Sequence, residues 1–320
     1  MTQGASFAAA RPVLIDDVRE AAARLASRAR RTPVFTVRID GRPVTMKLEF
    51  MQVTGAFKFR GALNAITAAA GVEHVITASG GNHGLAVATA ARLLGLPATV
   101  YVPHGTPEVK RRRISAAGAE VVIHGRQYAE AETAARAAAA LPAGPGEKAG
   151  RGPLYLHAYN DPAVIAGQGT VGLEITEQAP ETDVVVVAVG GGGLAAGVGA
   201  AIGTERTLAA VEPLNCDCLH RACEAGAPVE APTESVAASA LGASRIGDLP
   251  FAMLRQRPVE LVHVTDAEIL AARDRLWEDL RIAVEPAAAA PFAAWLADRV
   301  PGHRPCLVLC GANDNWQPGE

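Results

Sequence analysis

At 320 residues, with 49% hydrophobic and 20% charged side chains, the chain is a globular protein with material for one large domain or two joined ones. A net charge of −3 offers no whole-chain attraction for nucleic acid or an anionic membrane, and no apolar run is long enough to span a bilayer. Five cysteines, an odd number in a large chain, argue for a reduced, cytoplasmic setting rather than a disulfide framework.

The first ten residues have no basic segment ahead of Phe7-Ala8-Ala9-Ala10 and read as a loose tail, not a secretory signal. Ile15 to Arg28 reads as a helix: Asp16 and Asp17 open it, and Val18, Ala22 and Leu25 share a face. A strand is expected from Pro43 to Phe50. From Val72 onward, short apolar strands alternate with alanine-rich helices. The expected order is strand Val75 to Ala78, helix Leu85 to Leu94, strand Ala98 to Val102, helix Glu108 to Ala117, strand Glu120 to Ile123 and helix Tyr128 to Leu141. Pro142 to Gly152, rich in Gly and Pro, reads as a loop. The pattern resumes with Leu154 to His157, a helix around Val164 to Gln178 and the strand Val184 to Val189. Such alternation specifies an α/β fold with parallel sheets covered on both faces. It suggests a small inserted α/β domain, residues 73–158, within a larger one formed by 1–72 and 159–320.

Among the chemistry-bearing residues, Lys58 stands out. It sits in Glu49-Phe50-Met51-Gln52-Val53-Thr54-Gly55-Ala56-Phe57-Lys58-Phe59-Arg60-Gly61-Ala62, with an aromatic neighbour on each side and glycines that let the backbone bend around it. Burial of an ammonium lowers its pKa and makes it a nucleophile or base. The chain has only four lysines against 26 arginines, and Lys47, Lys110 and Lys148 lie in a strand, a basic run and a loop. The plainer alternative is a core lysine whose stem packs while its head reaches water.

Two glycine-rich turns follow. Ser79-Gly80-Gly81-Asn82-His83-Gly84 leaves a strand and opens a helix, where backbone amides converge on an anion. Val184 to Val189 runs into Gly190-Gly191-Gly192-Gly193-Leu194, a second such turn that suits a phosphate. With Glu212 about 20 residues on, this second segment imitates a dinucleotide-binding fingerprint, although Gly-x-Gly-x-x-Gly is not cleanly present.

The stretch around Lys58 resembles the cofactor-attachment site of the serine/threonine dehydratases, fold type II (tryptophan-synthase-β-like) pyridoxal-phosphate enzymes. The resemblance runs from Arg31-Thr32-Pro33 to Asn313. It implies two open parallel-sheet α/β domains with pyridoxal 5′-phosphate between them and attached to Lys58. It also implies Phe57 beside the ring, Asn82 on the 3′-hydroxyl, Gly190, Gly191, Gly192 and Gly193 on the phosphate, and Cys310 facing the pyridine nitrogen. Ser79, Gly81, Asn82 and His83 would hold the substrate carboxylate. Glu285-Pro286 matches the family's opening of a late buried helix.

The resemblance further implies a homodimer acting on a small amino acid, while composition and charge point to a soluble chain with no nucleic-acid or membrane partner. The expected reaction is loss of water from L-threonine or L-serine, giving a 2-oxo acid and ammonia. A hydroxyaspartate ammonia-lyase, another β-eliminase and a catalytically silent ligand-binding member are the alternatives. Members regulated by isoleucine continue into a C-terminal effector domain, so no such feedback is expected.

Departures from the family pattern carry information of their own. Gly80 stands where racemases of this family have a proton-donating serine, so elimination without efficient racemisation is expected. Arg245, in Ser244-Arg245-Ile246-Gly247, stands where the family has a small polar residue, and its charge would meet a second substrate carboxylate, a phosphate or solvent. Glu212 matches a family ligand for a divalent cation, but Cys218 falls where a hard cation prefers oxygen, which makes such a cation doubtful. A zinc site from Cys216, Cys218, His220 and Cys223 is an alternative, as is simple packing of the thiols on a helix.

Overall fold

The computed structural model describes residues 11–140, 152–314 and 316. The N-terminal tail and the loop from 142 to 151, including Lys148, lie outside the described residues. The first half of the chain runs α1 (Ile15–Leu25), β1 (Val34–Ile39), β2 (Arg42–Lys47), α2 (Lys58–Ala68), β3 (Val72–Ala78), α3 (Asn82–Leu93), β4 (Ala98–Val102), α4 (Glu108–Ala116), β5 (Glu120–Ile123), α5 (Tyr128–Ala139) and β6 (Gly152–Tyr155). The second half runs α6 (Pro162–Gln178), β7 (Val184–Ala188), α7 (Gly193–Ala201), β8 (Thr207–Pro213), α8 (Cys218–Ala225), α9 (Ala238–Leu241), α10 (Asp248–Leu254), β9 (Val259–Val264), α11 (Asp266–Leu280), α12 (Pro286–Leu296) and β10 (Pro305–Val308).

Two sheets result. The larger has the order β1-β2-β10-β7-β8-β9 and the smaller β5-β4-β3-β6. Every pairing is parallel except β1 with β2. That hairpin turns at Asp40 and Gly41, whose φ values of 51° and 75° suit the two-residue turn such a pair of strands favours. The strand expected from Pro43 to Phe50 is therefore shorter. It stops at Lys47, and Glu49–Met51 form a single 3-10 turn that swings the Glu49 carboxylate inward.

Hydrophobic patterning accounts for the layers. β7, Val-Val-Val-Val-Ala, is buried along its whole length, as a central parallel strand covered on both faces must be. It lies in a core shared with α6, α7 and α12, while Phe59, Leu63, Val87 and Val100 belong to a second core on the smaller sheet. Among the described residues, no helix is long and apolar enough to cross a membrane.

Candidate active site

The segment carrying Lys58 is stitched by backbone hydrogen bonds to the residues that follow β10. Phe57 N donates to the Cys310 carbonyl (3.1 Å), and Ala312 N donates to the Gly55 carbonyl (2.9 Å). Lys58 then begins α2. Beneath it, Arg60 turns away from the amine and forks onto Glu49, Nε to Oε2 and Nη2 to Oε1 both at 2.8 Å. Arg60 Nη1 also reaches Glu174 Oε1 on α6 at 2.6 Å, and Lys47 pairs with the same carboxylate. Glu49, Arg60 and Lys47 are fully buried, so each charge depends on its partners. The cluster fixes the start of α2 and hence Lys58.

Lys58 Nζ donates to the Ala158 carbonyl at 2.9 Å and lies 5.2 Å from the Phe57 ring centroid. Its pKa falls to about 8, chiefly through burial, while Cys310 and Glu285 act the other way. Only one of the two flanking rings stays close. One residue along a helix is a turn of roughly 100°, and Phe59 is carried into the second core. The loop that offers the Ala158 carbonyl is held by His157, whose Nδ1 accepts from the backbone of Tyr159 (3.2 Å) and Asn160 (2.9 Å). Asp161 then caps α6 by accepting from the Ala163 and Val164 amides.

Both glycine turns open helices. The first gives α3, which begins at Asn82, and Gly81 N donates to Ser79 Oγ (3.2 Å). Asn82 Nδ2 donates to Glu285 Oε1 (2.8 Å), while Asn82 Oδ1 accepts from Asn313 Nδ2 (2.8 Å). Glu285 is buried and its carboxyl pKa is raised by that burial, partly offset by the Asn82 bond. His83 is buried with Nε2 at 3.3 Å from the Leu156 carbonyl, and its Nδ1 has no hydrogen-bond partner. Burial, then Lys58, pushes its pKa down to about 3, so the ring is neutral. A cavity beside this turn is lined by Gly80, Gly81, Asn82, Lys110, Arg113 and Glu285, among others.

The second turn crosses into α7 through Gly192 at φ +88°, a left-handed conformation that favours glycine. Tyr159 lies flat against the turn, and a Cβ on Gly191 would come within 2.3 Å of its ring. Cys310, two residues past β10, is a buried thiol, its pKa raised by burial and by Glu285.

Two of the residues singled out in the sequence are occupied elsewhere. Arg245 reaches outward to Asp248 (2.7 Å) and is partly exposed, and its carbonyl accepts from Tyr159 Oη (3.4 Å). Glu212 is fully buried, with its oxygens taken by the Leu219 amide (2.8 Å), the His220 amide (3.0 Å) and His220 Nδ1 (2.6 Å). Cys218 Sγ donates to the Gly190 carbonyl (3.2 Å), Cys216 is buried and Cys223 is exposed, and among the described residues no candidate ligand cluster includes a thiol. A hard cation does not fit this donor set.

Residues given no role from the sequence include Thr106, His157 and Tyr159. None has a motif of its own, and each joins the site through a loop or helix distant in the chain. Lys110 and Arg113 were legible only as members of a basic run. The turn at Asp40-Gly41, by contrast, carried a hairpin signal that would have revealed β1.

Comparison with known proteins matches residues 25–311 to the family described as "Pyridoxal-phosphate dependent enzyme". L-threonine ammonia-lyase of Geobacter sulfurreducens is 38% identical over 310 residues, covering 92% of this chain and 74% of that protein. Serine racemase of Arabidopsis thaliana is 35% identical over 313 residues, 92% of each. The crystal structure of T.th. threonine deaminase superposes with a TM-score of 0.85 at 34% identity, covering 95% of this chain and 100% of that one. The chain therefore belongs to the pyridoxal-phosphate dependent enzymes, and pyridoxal 5′-phosphate is its cofactor.

Proposed function

We propose that the protein is an ammonia-lyase that eliminates water from a small β-hydroxy amino acid, L-threonine or L-serine, releasing a 2-oxo acid and ammonia. The buried amine of Lys58, with its pKa lowered to about 8, suits both attachment of the cofactor and removal of the α-proton. The turn Gly190 to Gly193 at the start of α7 suits the phosphate, and Tyr159 packs against it. Bound pyridoxal phosphate supplies the electron sink that makes the α-proton acidic. Around it, Asn82 is held in one orientation by Glu285 and Asn313, ready for the 3′-oxygen. Ser79, Gly81 and His83 stand beside it for the substrate carboxylate, and fixing that group aims the Cα–H bond at Lys58. The buried Cys310 thiol is the group we place opposite the pyridine nitrogen. A neutral thiol does not hold a proton there, which favours departure of the hydroxyl over transamination.

The observation that carries elimination over racemisation is at Gly80. A Cβ built there would lie 2.7 Å from Thr106 Cγ2 and 2.9 Å from Thr106 Oγ1. The volume that a proton-donating serine would need is filled. A second reading rests on the same contact: the Thr106 hydroxyl itself stands where it could deliver a proton, which would give racemisation. A further substrate reading rests on Lys110 and Arg113, which line the cavity beside Gly80 and Gly81 and would suit the second carboxylate of hydroxyaspartate.

One experiment separates these. The purified protein is scanned in the visible region before and after borohydride. L-threonine, L-serine or threo-3-hydroxyaspartate is then added, with oxo acid and D-amino acid followed in parallel. A band abolished by borohydride, with oxo acid released fastest from threonine or serine, is the expected outcome. Fast D-serine formation would favour the second reading, and fastest release from hydroxyaspartate the third. Absence of any band after addition of pyridoxal phosphate would overturn the assignment of Lys58.

A further inference from the structure

The end of the larger sheet opposite the β1–β2 hairpin holds a cluster that none of the chemistry above uses. Glu212 on β8 and His263 on β9 are register partners on adjacent parallel strands. His220, in the first turn of α8, stacks on His263 with ring centroids 3.5 Å apart and planes 18° from parallel. One ligand atom from each of Glu212, His220 and His263 lies within 4.8 Å of the other two. His263 Nε2 is buried without a hydrogen-bond partner, and Asp217 Oδ2 lies 3.7 Å from it.

We propose that Glu212, His220 and His263 form a binding site for a transition-metal ion of the zinc class, in place of the hard-cation site that the resemblance implied. Two imidazole nitrogens and one carboxylate oxygen are a donor set for zinc or cobalt, whereas magnesium and calcium take oxygen. A tetrahedral site with bonds of about 2.0–2.1 Å has donors about 3.3 Å apart, so the three atoms, now within 4.8 Å of one another, would draw together as the two rings unstack. The ion would replace the proton in the 2.6 Å bond between His220 Nδ1 and Glu212 Oε2. His263 would turn its unpartnered nitrogen out of the stack toward the ion. Asp217 or water completes the fourth position.

The position gives such an ion a structural purpose. It would tie β8, β9 and α8 together, and the same α8 reaches the first glycine of the second turn through Cys218 Sγ and the Gly190 carbonyl. The ion would be a brace behind that turn, remote from proton transfer.

The test uses the full-length cofactor-loaded protein, dialysed against a chelator. It is titrated with Zn²⁺, Co²⁺, Mg²⁺ and Ca²⁺ by calorimetry and thermal unfolding, with the Co²⁺ complex also recorded in the visible region. Expected are one equivalent of Zn²⁺ bound roughly 100-fold or more tightly than Mg²⁺, a raised unfolding temperature, and a Co²⁺ d–d spectrum without a thiolate charge-transfer band. His263→Phe and His220→Phe retain a ring in the stack while removing the donors, and each is expected to abolish the tight equivalent. Cys223→Ser, at the exposed thiol, leaves it intact. The proposal is overturned if no tight equivalent binds, if Mg²⁺ or Ca²⁺ stabilises as well as Zn²⁺, if a thiolate band appears, or if both Phe variants bind as the parent does. None of these readouts depends on turnover, so the site stands or falls separately from the proposed reaction.

Discussion

Asn82 Nδ2 lies 2.8 Å from Glu285 Oε1 although 203 residues separate them in the chain. Asn82 opens the helix that follows β3 of the smaller sheet, while Glu285 precedes α12, which packs on the larger. A single amide thus spans both halves of the site. Asn313 closes the arrangement by donating to Asn82 Oδ1 and to the Thr54 carbonyl (2.7 Å), four residues before Lys58. The arrangement orients the Asn82 carbonyl oxygen and leaves its amide on the carboxylate, so the two chemically distinct ends of one side chain are assigned by their neighbours.

Removing that amide should expose its worth. Asn82→Ala leaves the buried Glu285 carboxylate short of a donor, at a cost of about 1–3 kcal/mol in denaturant unfolding. Combined with Glu285→Gln, the loss should be smaller than the sum of the two single changes, because both remove one interaction. Additive losses would mean that the pair is not coupled.

Lys58 should weaken the cofactor-free protein that it equips for chemistry. Its folded-state pKa of about 8 lies below the ordinary 10.5, so the folded chain holds fewer protons between those values. Stability of the cofactor-free form should therefore rise as pH climbs from 8 to 10.5. Lys58→Met removes the ammonium at similar volume. It should abolish turnover while stabilising the cofactor-free protein at pH 7 by on the order of 2 kcal/mol. Urea melts at pH 7 and 10 for both proteins provide the check, and the difference between them should shrink at the higher pH.

Arg60 is expected to behave as a structural ion despite lying two residues from Lys58. Arg60→Met strands Glu49 and Glu174 without their shared partner and should cost about 3–5 kcal/mol. Arg60→Lys should rescue little of this, because an ammonium cannot fork onto Glu49 as the guanidinium does. Thermal unfolding of the two variants decides it, and recovery of full stability by lysine would refute the bidentate role.

At the first glycine turn, Gly80→Ser alone should lower turnover through its collision with Thr106. Gly80→Ser with Thr106→Ala supplies the hydroxyl and clears the space. Its ratio of D-serine to pyruvate formed from L-serine should rise by roughly tenfold or more, within the range of one positioned acid–base group. Thr106→Val in the parent probes the second reading: it should leave the ratio unchanged if the threonine only fills volume.

Lys58, the two glycine turns and the alternation of strands and helices were legible in the linear chain because each is a local statement. A strand leaving a buried run and entering a helix through glycines creates an amide-lined turn wherever it occurs, and Val184 to Gly193 shows this within ten residues. The hydrophobic period likewise marks parallel strands without knowledge of their neighbours. What a residue faces is a different matter. Phe57 and Phe59 look equivalent beside Lys58, yet the helical turn sends one to the amine and the other to a core. Arg245 has the charge for a substrate carboxylate, but Asp248 is closer to hand. His263 and Glu212 carry no shared motif, and only the register of β8 against β9 makes them neighbours. Composition and periodicity specified the fold class and the chemistry on offer. Pairing across strands and burial of one charge against another, which depend on contacts between distant parts of the chain, decided which side chains meet.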